Sequence, residues 1–192
     1  MLAYVFWHWP NQGIDQKVYQ EKLRDFHRVL ASNPSPGFKY SVALKLNNPP
    51  WLQTSGDAYE DWYLVDDSAA LDPLNEAAIS GPREQPHNQV AKDVAGGTAG
   101  LYRVKQGAVD NLLTARFACW FAKPAGVSYS DFFAQLKPLS SSPGACLWGR
   151  QMTLGPTTEF CLQSPGQLSL PPGYQGHVLE LEIIWPGKGE SD

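Results

Sequence analysis

Histidines and carboxylates beside aromatic residues give this chain its clearest capacity for acid–base chemistry. His8 lies between Trp7 and Trp9 in a short apolar run. An imidazole in such surroundings can act as a general base or a ligand, because burial and nearby charges shift its pKa. We interpret residues 2–9 as a strand and expect the His8 face to line a space between two sheets; a hydrogen-bonded structural histidine is the alternative. His27, beside the apolar side of a predicted helix, is expected to be partly exposed and structural.

Two adjacent carboxylates, Glu60 and Asp61, fall in an aromatic segment that is typical of a strand. Consecutive strand residues point to opposite faces, so the two cannot form a glycosidase-type pair by themselves. Asp61 shares a face with Tyr59 and Tyr63, where a buried carboxylate could accept a proton, and Glu60 shares a face with Trp62. The alternative is that these charges only bond to a neighbouring strand.

Seven tryptophans are spread along the chain, most of them in segments predicted as strands. They fit either a large aromatic core or the lining of a pocket for a flat apolar molecule. Trp51 is the exception, because it lies in a loop where it could cover a pocket mouth or meet a partner. The predicted ligand-binding residues are His8, Trp51, Trp62, Trp120 and Trp148. The expected ligand is a small apolar or aromatic molecule, and catalytic residues stay unassigned.

No spacing of cysteines or histidines indicates a metal site. Cys119, Cys146 and Cys161 lie in apolar segments without a C-x-x-C pair, which predicts reduced core thiols. The four histidines match no zinc-binding pattern. The glycine-rich residues 96–100 precede a strand, whereas phosphate-binding loops follow a strand and open a helix. The sequence therefore predicts neither a metal nor a cofactor.

Hydrophobic periodicity divides the chain into strands and helices. Residues 38–46 alternate apolar and polar side chains, which predicts a strand. Asp15 suits an N-cap, and the apolar residues after it recur at helical spacing, so an amphipathic helix follows. Residues 1–106 then follow the order β-α-β-β-α-β. Residues 107–192 follow β-α-β-β-loop-β, because residues 164–173 are too rich in Pro and Gly for a helix.

A weak internal repeat suggests that these two parts are similar domains. Residues 3–9 and 115–121 are aromatic runs, and each precedes a helix-like segment and a Ser-Pro-Gly sequence. The expected fold class is α+β, with two ferredoxin-like halves whose sheets pack face to face and whose helices lie outside. In such a half the last strand lies beside the first, so we expect Arg116 to pair with Glu180 or Glu182.

The element order and the repeat resemble the dimeric α+β barrel superfamily of ferredoxin-like domains, in its tandem single-chain form. Residues 59–67 also resemble segments of uncharacterised bacterial proteins. The superfamily includes monooxygenases, haem enzymes and stress-induced proteins, but none of their motifs is recognisable in this chain. The resemblance therefore implies a fold and no particular activity.

Composition narrows the classes of function. The chain has 192 residues, 43% of them hydrophobic, and a net charge of −4. Its basic residues form no cluster, which argues against binding to nucleic acid. Residues 2–9 are too short for a membrane span, so we expect no membrane partner and a cytoplasmic protein of open oligomeric state. The sequence favours a non-catalytic interaction module; the alternative is a small-molecule binding protein or a cofactor-independent enzyme of oxygenase or isomerase type, with its site between the sheets.

Overall fold

The computed structural model describes residues 1–54 and 56–187. Its strands are β1 (Leu2–Pro10), β2 (Phe38–Asn47), β3 (Asp57–Val65), β4 (Val94–Gly107), β5 (Phe117–Phe121), β6 (Cys146–Arg150), β7 (Phe160–Ser164) and β8 (Gly176–Trp185). Its α-helices are α1 (Gln16–Ser32), α2 (Leu71–Ala78), α3 (Glu84–Ala91) and α4 (Tyr129–Ser140). No helix in this described part of the chain is both long and apolar enough to cross a membrane.

The eight strands form one closed antiparallel barrel in the order β1-β3-β2-β8-β5-β7-β6-β4. The expectation of two separate sheets packed face to face is therefore corrected to one continuous wall. Strand β2 pairs with β8 and strand β4 pairs with β6, and these two pairings join the earlier strands to the later ones. Closure satisfies backbone groups that an open sheet would leave unpaired at its edges.

Alternate strand residues face either the barrel interior or the helices. The interior contains the fully buried rings of Trp7, Trp62, Tyr102, Trp120 and Trp148. The rings of Trp62 and Trp148 have centroids 4.9 Å apart, and those of Trp7 and Trp120 are 5.5 Å apart. Large aromatic side chains in mutual contact thus occupy the centre of the barrel.

Helix α1 covers the outer face of the wall and confirms the predicted amphipathic helix. Asp15 caps it by accepting a hydrogen bond from the Val18 N–H at 3.0 Å. Its apolar residues at helical spacing, Tyr19, Leu23, Phe26 and Leu30, are buried against the strands.

Strand β4 is much longer than the sequence predicted, because it includes the glycine-rich run. A Cβ at Gly97 would lie 2.5 Å from Cζ of Phe6, and one at Gly96 would lie 2.5 Å from Cζ2 of Trp9. Aromatic rings of β1 therefore pack directly on the β4 backbone, which only glycine permits. Strand propensity gives no sign of this, since glycine is depleted in strands.

The expected ion pair of Arg116 with Glu180 or Glu182 is wrong. Strand β8 does lie beside β5, but Arg116 stands opposite Leu181, whose N–H donates to the Arg116 carbonyl at 2.8 Å. The two glutamates alternate with Leu181 and so lie on the other face of the wall. Glu182 instead pairs with Lys45 of β2, at 3.5 Å.

The segment between β7 and β8, residues 165–175, contains turns and bends but no helix. Leu168, Leu170 and Tyr174 from this segment pack against the residues that α4 covers. The later strands are therefore covered by one helix and a loop, whereas the earlier strands are covered by three helices.

Candidate functional site

A cavity of about 630 Å³ lies between the outer face of the barrel and the first three helices. Strands β1, β3 and β4 form its floor, and α1, α2 and α3 form its roof. Most of its lining is apolar, including Phe6, Leu23, Phe26, Leu74 and Leu101. This size and this character are typical of sites that bind small organic molecules.

Small residues on β4 leave this space open. Ala99 stands opposite Phe6 of β1, and both Ala99 and Gly100 line the cavity. A larger side chain at Ala99 would project from the floor toward the helices. The glycine-rich region that was rejected as a phosphate loop therefore shapes the cavity.

His8 and Asp61 line the cavity, and together with His27 of α1 they form a buried cluster. Asp61 Oδ2 lies 3.2 Å from His8 Nε2 and 3.3 Å from His27 Nε2. The first contact has hydrogen-bond geometry, whereas the second is an ion-pair distance without it. The three side chains are at most 3% exposed. One carboxylate oxygen therefore faces two imidazoles.

A hydroxyl group contacts Nδ1 of each imidazole, on the side away from Asp61. The Tyr19 hydroxyl lies 2.6 Å from His8 Nδ1, and the Ser41 hydroxyl lies 2.7 Å from His27 Nδ1. A hydroxyl can donate or accept, so each pairing is kept whichever tautomer the ring adopts. Because both Nδ1 atoms are engaged in this way, both Nε2 atoms are directed at the carboxylate.

Asp61 stays ionised in spite of its burial. Burial alone raises the pKa of a carboxyl group, but attraction to His27 and His8 and hydrogen bonding hold the pKa of Asp61 well below its usual range. Tyr63 donates a hydrogen bond to Asp61 Oδ2 at 3.0 Å. Burial, followed by the Asp61 charge, raises the pKa of the Tyr63 hydroxyl well above its usual value. The cluster therefore holds a carboxylate beside a phenol that keeps its proton.

Asp61 Oδ1 is buried and has no hydrogen-bond partner within residues 1–54 and 56–187. A buried carboxylate oxygen without a donor costs about 1–3 kcal/mol or more. Asp61 belongs to the cavity lining, so a ligand with an O–H or N–H group can supply the missing donor. The arrangement can bind such a group and take up its proton, with the charge shared by the two histidines.

Glu60 projects from the opposite face of β3 into the barrel interior, as the alternation of the strand predicted. Its Oε2 accepts a hydrogen bond from Trp7 Nε1 at 2.7 Å, and its Oε1 accepts one from Trp62 Nε1. Burial raises the pKa of Glu60 to about 7, although the two indole N–H groups act in the other direction. Glu60 thus organises the aromatic interior and is separated from the cavity by the barrel wall.

The structure places the five predicted ligand-binding residues in two separate regions. His8 faces α1 and the cavity, so the expectation that it lines a space between two sheets is wrong. The indoles, including that of Trp7, occupy the centre of the closed barrel. Because consecutive residues of β1 point to opposite faces, His8 then points outward. Trp62, Trp120 and Trp148 lie in the interior, and the half-buried Trp51 packs on Trp120 with ring centroids 5.4 Å apart. Ligand binding by any of the five stays a prediction.

His27 was expected to be partly exposed, but it is fully buried and contributes to the cluster. A signal was present in the sequence: Tyr19, Leu23 and His27 follow one another at intervals of four residues, which places them on one side of a helix. Ser41 gave no signal, because its partner comes from another element of the fold.

The cluster contains residue types that are common in metal sites, but its geometry is different. Both histidines direct Nε2 at the same Asp61 oxygen, and both Nδ1 atoms contact hydroxyls. In the described ranges, no group of three or more His, Cys, Asp or Glu side chains is arranged to hold a metal ion.

No protein-family model matches this chain, and no curated protein sequence matches it either. The solved structures that resemble it include the following two. A monooxygenase-like protein from Lactobacillus acidophilus NCFM aligns over 96% of this chain and 94% of its own, with a TM-score of 0.60 and 10% sequence identity. An anthrone oxidase-like protein aligns over 95% of this chain and 93% of its own, with a TM-score of 0.51 and 6% identity. At these identities the resemblance shows a shared α+β barrel fold.

Proposed function

We propose that this protein is a cofactor-independent enzyme of oxygenase type that acts on a small aromatic molecule bound in the cavity outside the barrel. The observation that carries the proposal is the His8–Asp61–His27 cluster at the floor of an apolar cavity of about 630 Å³. The fold shared with monooxygenase-like and anthrone oxidase-like proteins supports it. A non-catalytic interaction module does not account for an ionised carboxylate beside an apolar cavity.

The cluster suits removal of a proton from a phenol or from an acidic C–H group next to a carbonyl. Asp61 accepts the hydrogen bond, and the cluster shares the proton that is removed. The substrate anion reacts with molecular oxygen to form a C–O bond, which gives a peroxide. When the peroxidised carbon carries a second hydrogen, loss of water from the protonated peroxide leaves a carbonyl group. One oxygen atom ends in the carbonyl and the other in water, so the substrate supplies all the electrons.

Oxidation of anthrone, with oxygen uptake and ketone formation as readouts, tests this proposal. We expect the wild-type protein to exceed the spontaneous rate and Asp61→Asn to lower the catalysed rate by about 100-fold or more, because the variant loses the negative charge that accepts the substrate hydrogen bond and stabilises the protonated cluster. The matched control is Leu162→Met, at a β7 residue that faces α4, and it should keep the wild-type rate. No uptake above the spontaneous rate would contradict an oxygenase acting on such a substrate. Tight binding of anthrone without turnover would instead indicate a binding protein.

We further propose that residues 1–106 and 107–192 are two ferredoxin-like units in tandem, the second without its second helix. The strand orders β4-β1-β3-β2 and β8-β5-β7-β6 support this, because each has the last, first, third and second strand of its unit as neighbours. A crystal structure in which the two sets of four strands do not superpose would contradict it.

A further inference from the structure

Thr153, which lines the cavity, carries a second unpaired polar atom. Several buried side-chain polar atoms in the described part of the chain lack a hydrogen-bond partner. Only two of them, Asp61 Oδ1 and Thr153 Oγ1, belong to residues that line the cavity. Because both residues line one cavity, a single ligand can pair with both atoms.

The backbone after β6 holds Thr153 at the cavity. The Gln151 N–H donates to the Leu101 carbonyl of β4 at 2.7 Å, and the Thr153 N–H donates to the Gln151 carbonyl at 2.6 Å. Met152, between them, has a φ of 56° and a fully exposed side chain. A left-handed conformation is uncommon for a residue other than glycine. This tight turn leaves Met152 in solvent and Thr153 in the lining.

Asp61 and Thr153 approach the cavity from opposite sides of its floor. Asp61 of β3 stands opposite Phe6 of β1, which in turn stands opposite Ala99 of β4. Thr153 follows β6, the strand beyond β4 in the barrel. A ligand that meets both residues therefore extends across the part of the floor that β1 and β4 form.

We propose that the ligand of this cavity is a flat fused-ring molecule with a polar group at each end, and that Thr153 selects the second of these groups. The Asp61 end requires a donor, since an ionised carboxylate only accepts, and a phenolic hydroxyl meets this requirement. The Thr153 hydroxyl donates or accepts, so it pairs with a hydroxyl or a carbonyl oxygen. Apolar side chains such as Phe6 and Leu101 contact the rings between the two ends. The inference rests on the proposed function only in that it uses the same cavity.

Calorimetric binding of 2-naphthol and of 2,6-dihydroxynaphthalene tests this inference, because the second ligand adds one hydroxyl at the far end. We expect the wild-type protein to bind the diol about five- to tenfold more tightly, as one added hydrogen bond predicts. Thr153→Val should abolish that preference and leave the affinity for 2-naphthol unchanged. The matched control is Thr158→Val, which removes another buried unpaired hydroxyl of the same segment outside the cavity lining. It should keep the preference.

The outcomes separate this inference from the proposed function. An equal preference for the diol in wild type and Thr153→Val overturns the role of Thr153, while binding of 2-naphthol still supports the cavity as a site. Asp61→Asn should weaken both ligands by the same factor, and a loss confined to the diol would contradict the assigned orientation. If the wild-type protein binds neither naphthol, this inference fails, whereas oxygen uptake with anthrone still decides the proposed function. Thermal unfolding of each variant checks that it is folded.

Discussion

Helices α1 and α4 cover different parts of one barrel wall, over strands that alternate in the same way. The buried side chains between α1 and the wall include the polar residues His8, Tyr19, His27 and Asp61. The buried side chains between α4 and the wall include the aromatic residues Phe121, Phe132 and Phe160. The rings of Phe132 and Phe160 have centroids only 4.5 Å apart. The first layer contains a polar cluster beside a cavity, and the second is filled by rings in contact.

The registers of the two strand pairs show how few side chains make this difference. In the pair β1–β3, His8 stands opposite Tyr59 and Phe6 stands opposite Asp61. In the pair β5–β7, Phe121 stands opposite Phe160 and Cys119 stands opposite Leu162. The same wall can therefore support a polar site or an apolar layer. The polar site gives up close packing, as functional sites commonly do.

Truncation in each layer should give the largest effect and should test the packing difference directly. Leu136→Ala removes a fully buried side chain from the filled layer, and we expect it to lower the free energy of unfolding by about 3–5 kcal/mol. Leu23→Ala borders the existing cavity, so fewer contacts are lost and we expect about 2–3 kcal/mol. Urea denaturation measures both values. Equal losses would mean that the first layer is packed as tightly as the second.

A second experiment uses the two carboxylates on opposite faces of β3, Glu60 and Asp61. Burial raises the pKa of Glu60 to about 7 in the folded protein, from about 4.5 when unfolded. The folded state therefore binds the Glu60 proton more tightly, and stability falls by about 3 kcal/mol as pH rises from below 4.5 to above 7. Glu60→Gln should remove this part of the slope in urea denaturation between pH 5 and 8.

Asp61 does not contribute to the slope in that interval. Its pKa is lowered in the folded state, so its stabilisation is fully present above about pH 4 and is lost only in more acidic solution. Glu159→Gln, at a surface hydrogen bond to Tyr129, is the control and should keep the wild-type slope. An unchanged slope in Glu60→Gln would show that Glu60 does not titrate in this range.

The smallest effect should come from the buried serine hydroxyls of the two layers. Ser41→Ala removes the partner of His27 Nδ1, and Ser140→Ala removes a hydroxyl that bonds Gln106 Oε1 at 2.6 Å under α4. Each should cost about 1 kcal/mol of stability. Only Ser41→Ala should also lower the rate of anthrone oxidation, by about 2- to 10-fold, because it loosens an imidazole beside Asp61. Equal rates in the two variants would mean that Ser41 has only a structural role.

The sequence determined the features that depend on neighbouring residues along the chain. The spacing after Asp15 predicted α1 with its buried side, because helical periodicity is a local property. The alternation in β3 placed Glu60 and Asp61 on opposite faces, which the structure confirms. The proline- and glycine-rich segment before β8 was recognised as non-helical for the same local reason.

Only the tertiary structure decided which face of each strand is inside and which residues meet. Closure of the barrel depends on pairings between strands far apart in the chain, and these pairings turned the indoles inward and His8 outward. The cluster then joins His8, His27 and Asp61 from a strand, a helix and another strand. No local pattern encodes such a meeting, because periodicity orients a side chain on its own element but does not choose the element that covers it.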